Sequence, residues 1–184
     1  AGRRVMDMRY RDLDSACFGL GIQRGALFQA LLSALPESVS VRLSTTLTHV
    51  DNATGTLTEA SGAQFGPYDL VVIADGAHSA LRASFAHLSS RDRAYPWGAV
   101  WCLVKDKDAR FAGVLSQRYS SAKSMCGLLP VGHLPGEARS ADKLCVYWSL
   151  PTHKFAEWEF HGLGNWRSHV HELWPEAADL LTQI

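Results

Sequence analysis

The spacing of apolar positions along this 184-residue chain changes period several times. Residues 3–10 (Arg-Arg-Val-Met-Asp-Met-Arg-Tyr) partly alternate apolar and polar, which predicts a half-buried strand. Residues 11–21 carry Asp12, Asp14, Ser15, Gly19 and Gly21 and predict a loop. From Ile22 the period lengthens. Leu27, Leu31 and Leu35 recur every four residues with Ala30 and Ala34 beside them, one apolar face of a helix that Pro36 ends. Val39–Leu43, Thr45–Asp51 and Gly55–Glu59 are short and rich in Val, Leu and Thr. The turn formers Asp51-Asn52 and Ser61-Gly62 punctuate them, so they predict a meander of antiparallel strands.

The stretch Asp69–Arg82 organises this half. Leu70–Ala74 is apolar and β-branched, the pattern of a strand buried on both faces. It breaks at Asp75-Gly76, where glycine admits backbone angles closed to other residues and lets a ligand approach closely. Ser79 is placed to cap a helix beginning near Ala80. A strand, a sharp turn and a helix start gather free N–H groups and a positive helix end, which suits a negatively charged group. Arg24, at the first turn of the upstream helix, is a cation the helix dipole does not favour. It reads either as a surface arginine or as a cation placed to meet a ligand's anion.

After Arg82 the polar run Ser89-Ser-Arg-Asp92-Arg93 predicts an exposed crossing. Trp97–Val104, Phe111–Arg118, Ser124–Pro130 and Lys143–Leu150 follow as strand candidates. Connections carrying Gly132, Pro135, Gly136 and Ser140 predict one antiparallel sheet. The tail is helical: Trp166, Val170, Leu173 and Trp174 are spaced by three or four, except for the last step, and Ala177, Leu180 and Leu181 follow Pro175. The fold class is α/β in the broad sense, more strictly α+β, with residues 1–90 and 91–184 as two domains.

Composition narrows the function. Lys plus Arg equals Asp plus Glu at 18 each, which excludes a strongly basic nucleic-acid binder. No apolar run approaches the roughly 20 residues of a membrane span. The start, Ala1-Gly2-Arg3-Arg4 with acidic residues soon after, does not read as a signal peptide. Cys17, Cys102, Cys126 and Cys145 form no Cys-x-x-Cys pair, which argues against zinc and fits reduced thiols in a cytoplasmic protein. His169 and His171 lack a nearby third ligand and read as surface residues, so no metal is expected; His78 reads as a solvated loop residue. Ser79 reads as a cap and not as a nucleophile. Six tryptophans read chiefly as core, a minority as pocket walls for a flat ligand.

Asp69-Leu-Val-Val-Ile-Ala-Asp75-Gly76-Ala-His-Ser79-Ala-Leu-Arg82 resembles the Asp-Gly fingerprint of single-component flavoprotein monooxygenases. These form the para-hydroxybenzoate hydroxylase-like family, which includes the ubiquinone-pathway hydroxylases. Ile73 replaces the pattern's glycine and Leu81 its valine. Ile22-Gln-Arg24-Gly-Ala-Leu27-Phe-Gln-Ala-Leu31-Leu is similar to the family's Arg-x-x-Leu-x-x-x-Leu helix. Trp97 onward, with Gly127-Leu-Leu-Pro130, resembles its substrate domain, whose sheet covers the flavin.

The resemblance implies a partial FAD-binding unit with a β-meander, plus an antiparallel-sheet substrate domain flanked by helices. It implies oxidoreductase chemistry: NADH or NADPH reduces FAD, and one oxygen atom of O2 passes to a small aromatic substrate. Arg24 and Asp75-Gly76 would lie at the pyrophosphate of FAD, and Leu47 would touch the adenine side through its backbone. The family's Gly-x-Gly-x-x-Gly turn, which holds the ADP part of FAD, has no counterpart here. Gly19-Leu-Gly21 runs into Ile-Gln-Arg and opens no βαβ unit, and the family's later Gly-Asp motif is also missing. The chain, which begins without Met, is therefore expected to be an internal fragment, unable alone to hold FAD tightly or to turn over. Two other readings remain: a different nucleotide-dependent enzyme, such as a dehydrogenase or methyltransferase, with the Asp-Gly strand in a parallel sheet; or a non-catalytic module whose aromatic sheet holds a flat or lipid-like ligand.

Overall fold

The computed structural model describes residues 2–91, 93–133, 135–138 and 142–184. Ala1, Asp92 of the expected polar crossing and Ser140 of the expected connection lie outside the described residues. The fold is α+β with two antiparallel sheets. The chain divides into two compact units, Ala1–Leu35 with Tyr95–Ile184, and Pro36–Ala94. The helix bearing Arg24 thus falls in the same unit as the aromatic strands, whereas the Asp-Gly turn falls in the other.

In the second unit β1 (Leu47–Asp51), β2 (Thr56–Glu59) and β3 (Gln64–Phe65) form an antiparallel meander; its first two strands are expected ones, and the third is Gln64–Phe65 in place of Val39–Leu43. The 3-10 helix Leu81–Leu88 packs on β1, and Val50 and Leu81 are the buried pair of this small core.

The first unit is built on a four-stranded sheet. Its strands are β4 (Trp97–Lys105), β5 (Ser116–Ser120), β6 (Ser124–Gly132) and β7 (Lys143–Pro151), in the order β4-β7-β6-β5. The period of two in β7 decides the layout. Leu144, Val146, Trp148 and Leu150 are buried, while Cys145, Tyr147 and Ser149 between them are only half-buried. Register carries this division across the sheet: Val104 faces Leu144, Cys102 faces Val146, and Cys126 faces Trp148. The covered face packs on α2 (Phe155–Leu173) and the 3-10 helix Pro175–Gln183, which supply Trp166, Val170, Trp174, Ala177, Leu180 and Leu181. Each fully buried Leu or Val there contributes about 1.5–3 kcal/mol.

Polar contacts fasten the last helix to the sheet. The Gln183 side-chain amide accepts from Lys105 N–H at 2.9 Å and donates to Lys105 C=O at 3.0 Å, continuing the edge of β4 as a strand would. Arg110 donates to Asp179 at 2.7 Å, and its hydrogen bond, with burial opposing, lowers the Asp179 carboxyl below its ordinary range. Arg118 lies 5.1 Å above the Trp174 ring, which meets Phe111 edge-on at 5.8 Å.

Four expectations fail, for one shared reason and one local one. Residues 3–10, Val39–Leu43 and Leu70–Ala74 form no strand. An extended segment is held by a neighbour's N–H and C=O groups. Among the described residues none of the three has a ladder partner, and Leu70 stays 79% and Val72 76% exposed. The fourth, Phe111–Arg118, becomes strand only from Ser116. The Asp106 carboxylate accepts from the N–H groups of Arg110 and Phe111, and the chain turns at Ala109 and Gly113, both at positive φ. The upstream helix does form, as α1 (Arg24–Ser33), capped by Gln23, whose Oε1 accepts from Ala26 N–H at 2.8 Å. Its apolar face stays open: no residue of α1 is buried and Leu31 is 61% exposed.

Leu144→Ala, in the covered face, is expected to lower unfolding free energy by roughly 2–5 kcal/mol. Leu31→Ala is expected to change it by less than about 0.5 kcal/mol. Urea unfolding followed by tryptophan fluorescence compares the two; equal effects would contradict the burial pattern. A second expectation concerns the core thiols. Burial, with a smaller repulsion from a neighbouring thiol, pushes Cys102 up to about 11 and Cys126 up to about 12. In the unfolded chain thiols ionise near 8.5, so above about pH 9 the unfolded state releases protons that the folded state keeps. Stability therefore falls as pH rises through that window. The urea midpoint is expected to drop between about pH 8 and pH 10.5, and to drop less in Cys126→Ala.

Candidate functional site

Two places gather chemistry, one in each unit. In the second unit the Asp75-Gly76 turn forms as its sequence demands. Gly76 takes φ +84°, Ser79 N–H donates to Gly76 C=O at 3.1 Å, and a Cβ at Gly76 would meet nothing within 4 Å. The turn is thus both left-handed and open to a ligand. Ser79 caps as expected: its Oγ accepts from Arg82 N–H at 2.9 Å at the start of the 3-10 helix. Asp75 and His78 are exposed in this turn.

Near the turn lies a cleft of about 310 Å³ lined by the Asp51–Gly55 turn, residues 68–71, Ile73 and Phe85. Its rim is acidic. The Asp51 carboxylate accepts from Thr54 Oγ1 at 2.8 Å and from Ala53 N–H at 2.9 Å, and these bonds, Thr54 first, lower its pKa. Leu47, in the same unit, begins β1 and is half-buried. Arg24 lies in the other unit as the first residue of α1 and is exposed; among the described residues its guanidinium has no hydrogen-bond or ion-pair partner. Of the four residues assigned to the flavin, only Asp75 and Gly76 are adjacent.

The second place is the sheet face of the first unit that the helices leave uncovered. Register sets Trp101, Tyr147, Gly127 and Gln117 in one row across β4, β7, β6 and β5. Leu103, Cys145 and Leu129 form the row on one side; Ala99, Ser149, Met125 and Tyr119 form the row on the other. Gly127 lets the Tyr147 ring lie down across β6, where a Cβ would collide with it. The ring so placed brings its hydroxyl to the Gln117 side chain at 2.9 Å, and Tyr119 bonds the same amide at 2.9 Å. Trp101 stands 62% exposed at the row's end. Of this unit's other tryptophans, Trp148, Trp166 and Trp174 are buried as the sequence suggests, and Trp97 and Trp158 are half-buried.

Gln117, Tyr119 and Tyr147 do not stand out in the sequence. Alternation in Leu144–Leu150 puts Tyr147 opposite the core, but only register brings it over Gly127. His169 and His171 are exposed, and among the described residues no group of three His, Cys, Asp or Glu side chains could hold a metal ion. Among them, too, no helix is long and apolar enough to cross a membrane. No protein family, curated protein or solved structure matches the chain.

Proposed function

We propose that this chain is part of a flavin-dependent monooxygenase, pairing an Asp-Gly nucleotide-binding turn with a sheet that holds an aromatic substrate. The observation that carries the reading is the second sheet face: four antiparallel strands, α2 and the Pro175–Gln183 helix on one side, and an aromatic, half-buried surface on the other. A sheet with its second face merely solvated alternates apolar with charged residues. Here the central positions of the second face are Leu103, Cys145, Leu129, Met125 and Tyr147. Such a surface suits a flat apolar ring.

The Asp-Gly turn supports the cofactor half. The left-handed Gly76, the open space around it and the Ser79 cap fit a phosphate-bearing group near Asp75 and Gly76. Leu47 would serve the adenine side and Arg24 the pyrophosphate, each a separate assignment. FAD, when bound, would supply the redox chemistry with NADH or NADPH and O2 as co-substrates; the chain's own residues bind, orient and shield. Leu70–Ala74, without a ladder partner among the described residues and exposed at Leu70 and Val72, fits a family strand that lacks its sheet neighbours.

The alternative of a dehydrogenase or methyltransferase needs parallel strands, and every strand pair among the described residues is antiparallel. The non-catalytic ligand-binding module shares the sheet face and differs at the Asp-Gly turn.

A titration with FAD, followed by flavin fluorescence, separates these readings. Weak, saturable binding is expected, lowered roughly tenfold by Arg24→Ala, which removes one charge-assisted contact with the pyrophosphate, and changed by Asp75→Ala, which removes a carboxylate from the turn. Binding that neither substitution changes, or no binding at millimolar FAD, would contradict the cofactor half.

A further inference from the structure

The four-stranded sheet ends in two edges of different character. β5 is short and polar, Ser116-Gln-Arg-Tyr-Ser, with the charge of Arg118 at its middle. A free edge of that kind is guarded against pairing with other chains. β4 is nine residues long and reads Trp97-Gly-Ala-Val-Trp-Cys-Leu-Val-Lys105, with no charge before its last residue and no bulge against β7. Apolar residues stand on both of its faces, as in a strand from a sheet interior. Yet Val100 and Cys102, on the helix-covered face, are only half-buried, and Trp101 on the other face is 62% exposed.

The Gln183 contact fixes which backbone groups of β4 point outward. Both the N–H and the C=O of Lys105 bond to the Gln183 side chain, at 2.9 and 3.0 Å, and so face away from β7. Backbone direction alternates along a strand, and the pairing of β4 with β7 runs without a shift. Trp97, Ala99, Trp101 and Leu103 therefore aim their N–H and C=O groups outward too, and among the described residues these groups have no hydrogen-bond partner. The open stretch is closed at both ends. Gln183 occupies Lys105 at one end. At the other stands Pro96, which has no N–H and whose C=O accepts from Thr152 N–H at 2.9 Å. The open window, residues 97–103, is thus symmetric about Val100.

We infer that β4 is a self-pairing edge, on which a second copy of this chain lays its own β4 antiparallel across a two-fold axis at Val100. In that register Trp97 lies opposite Leu103 of the second copy, and Ala99 opposite its Trp101. Each such pair exchanges both of its hydrogen bonds, so every outward group in the window is satisfied. Gly98 falls opposite Cys102, and Val100 opposite itself. Small residues meet larger ones on both faces, and no charge lies in the seam to repel its own copy. A shift that centres the pairing on Trp101 would set Trp97 against Lys105, whose outward groups Gln183 already holds. A foreign strand would need none of this symmetry. The join completes the burial of Val100 and Cys102 and leaves only the guarded β5 edges free. The inference concerns assembly and does not rest on the flavin reading.

Sedimentation equilibrium of the full chain over a dilution series is expected to show monomers in equilibrium with dimers. Hydrogen exchange places the interface. The Ala99, Trp101 and Leu103 amides are expected to be protected in the dimer and to lose protection on dilution, while those of Cys102 and Val104, which point to β7, stay protected throughout. Ala99→Pro removes one outward donor at an edge position where proline is tolerated, and is expected to weaken dimerisation roughly tenfold or more. Val100→Cys tests the register without removing any backbone bond. Opposed residues of that class have Cα atoms about 4.5 Å apart, within reach of a disulfide. Mild oxidation with oxidised glutathione is expected to link the two introduced thiols, located by mass spectrometry of a mixed 14N and 15N sample. A chain that stays monomeric at every concentration, a dimer that Ala99→Pro leaves unchanged, or a dimer in which the introduced thiols do not join would each overturn the inference.

Discussion

Everything in the first unit depends on the burial of every second residue of β7. Leu144, Val146, Trp148 and Leu150 enter the core, and register forces their partners on β4 and β6 to follow. A one-residue slip would expose all of them at once, so the hydrophobic term fixes register as well as stability. The helical tail closes only that side. Trp166, Val170, Trp174, Leu180 and Leu181 fill it, and Gln183 ties the tail to the end of β4.

Covering one face has a consequence for the other. With the core on one side, the odd-numbered residues of β7 are free to serve another purpose, and Cys145, Tyr147 and Ser149 are neither charged nor fully exposed. Tyr147 is the clearest case. It lies flat because residue 127 is glycine, and it reaches Gln117 because β5 pairs with β6 at that row. Packing, register and one absent Cβ together produce a hydroxyl with a fixed direction. The second unit is less well furnished. Its core is small, and its chemistry rests on a left-handed glycine, a serine cap and a cleft rimmed by Asp51.

Much of the fold is legible in the sequence wherever local pattern and tertiary partner agree. The α1 helix, the first two strands of the meander, three of the four long strands and the Trp166–Leu181 tail follow from period and punctuation. The Asp75-Gly76 turn and the Ser79 cap follow from glycine's backbone freedom and the hydroxyl's reach. Leu70–Ala74 does not, because β-branched apolar residues record a preference for being paired and say nothing of whether a partner is present. Phe111–Leu115 fails because the Asp106 carboxylate captures two backbone N–H groups, a side-chain bond that a hydrophobic pattern does not encode. The hydroxyl row is illegible for a different reason. Tyr119, Gln117 and Tyr147 are up to 30 positions apart, and only strand register makes them neighbours.

Both the fold and the proposed ligand surface require the sheet to have one sealed and one open aromatic face. The most direct measurement is the broadening of tryptophan indole N–H signals by a soluble, uncharged gadolinium chelate in the NMR spectrum of the whole chain. Trp101 is expected to broaden strongly while Trp148, Trp166 and Trp174 are spared. Protection of Trp101 equal to that of the three buried indoles, or loss of all four signals together, would contradict that division.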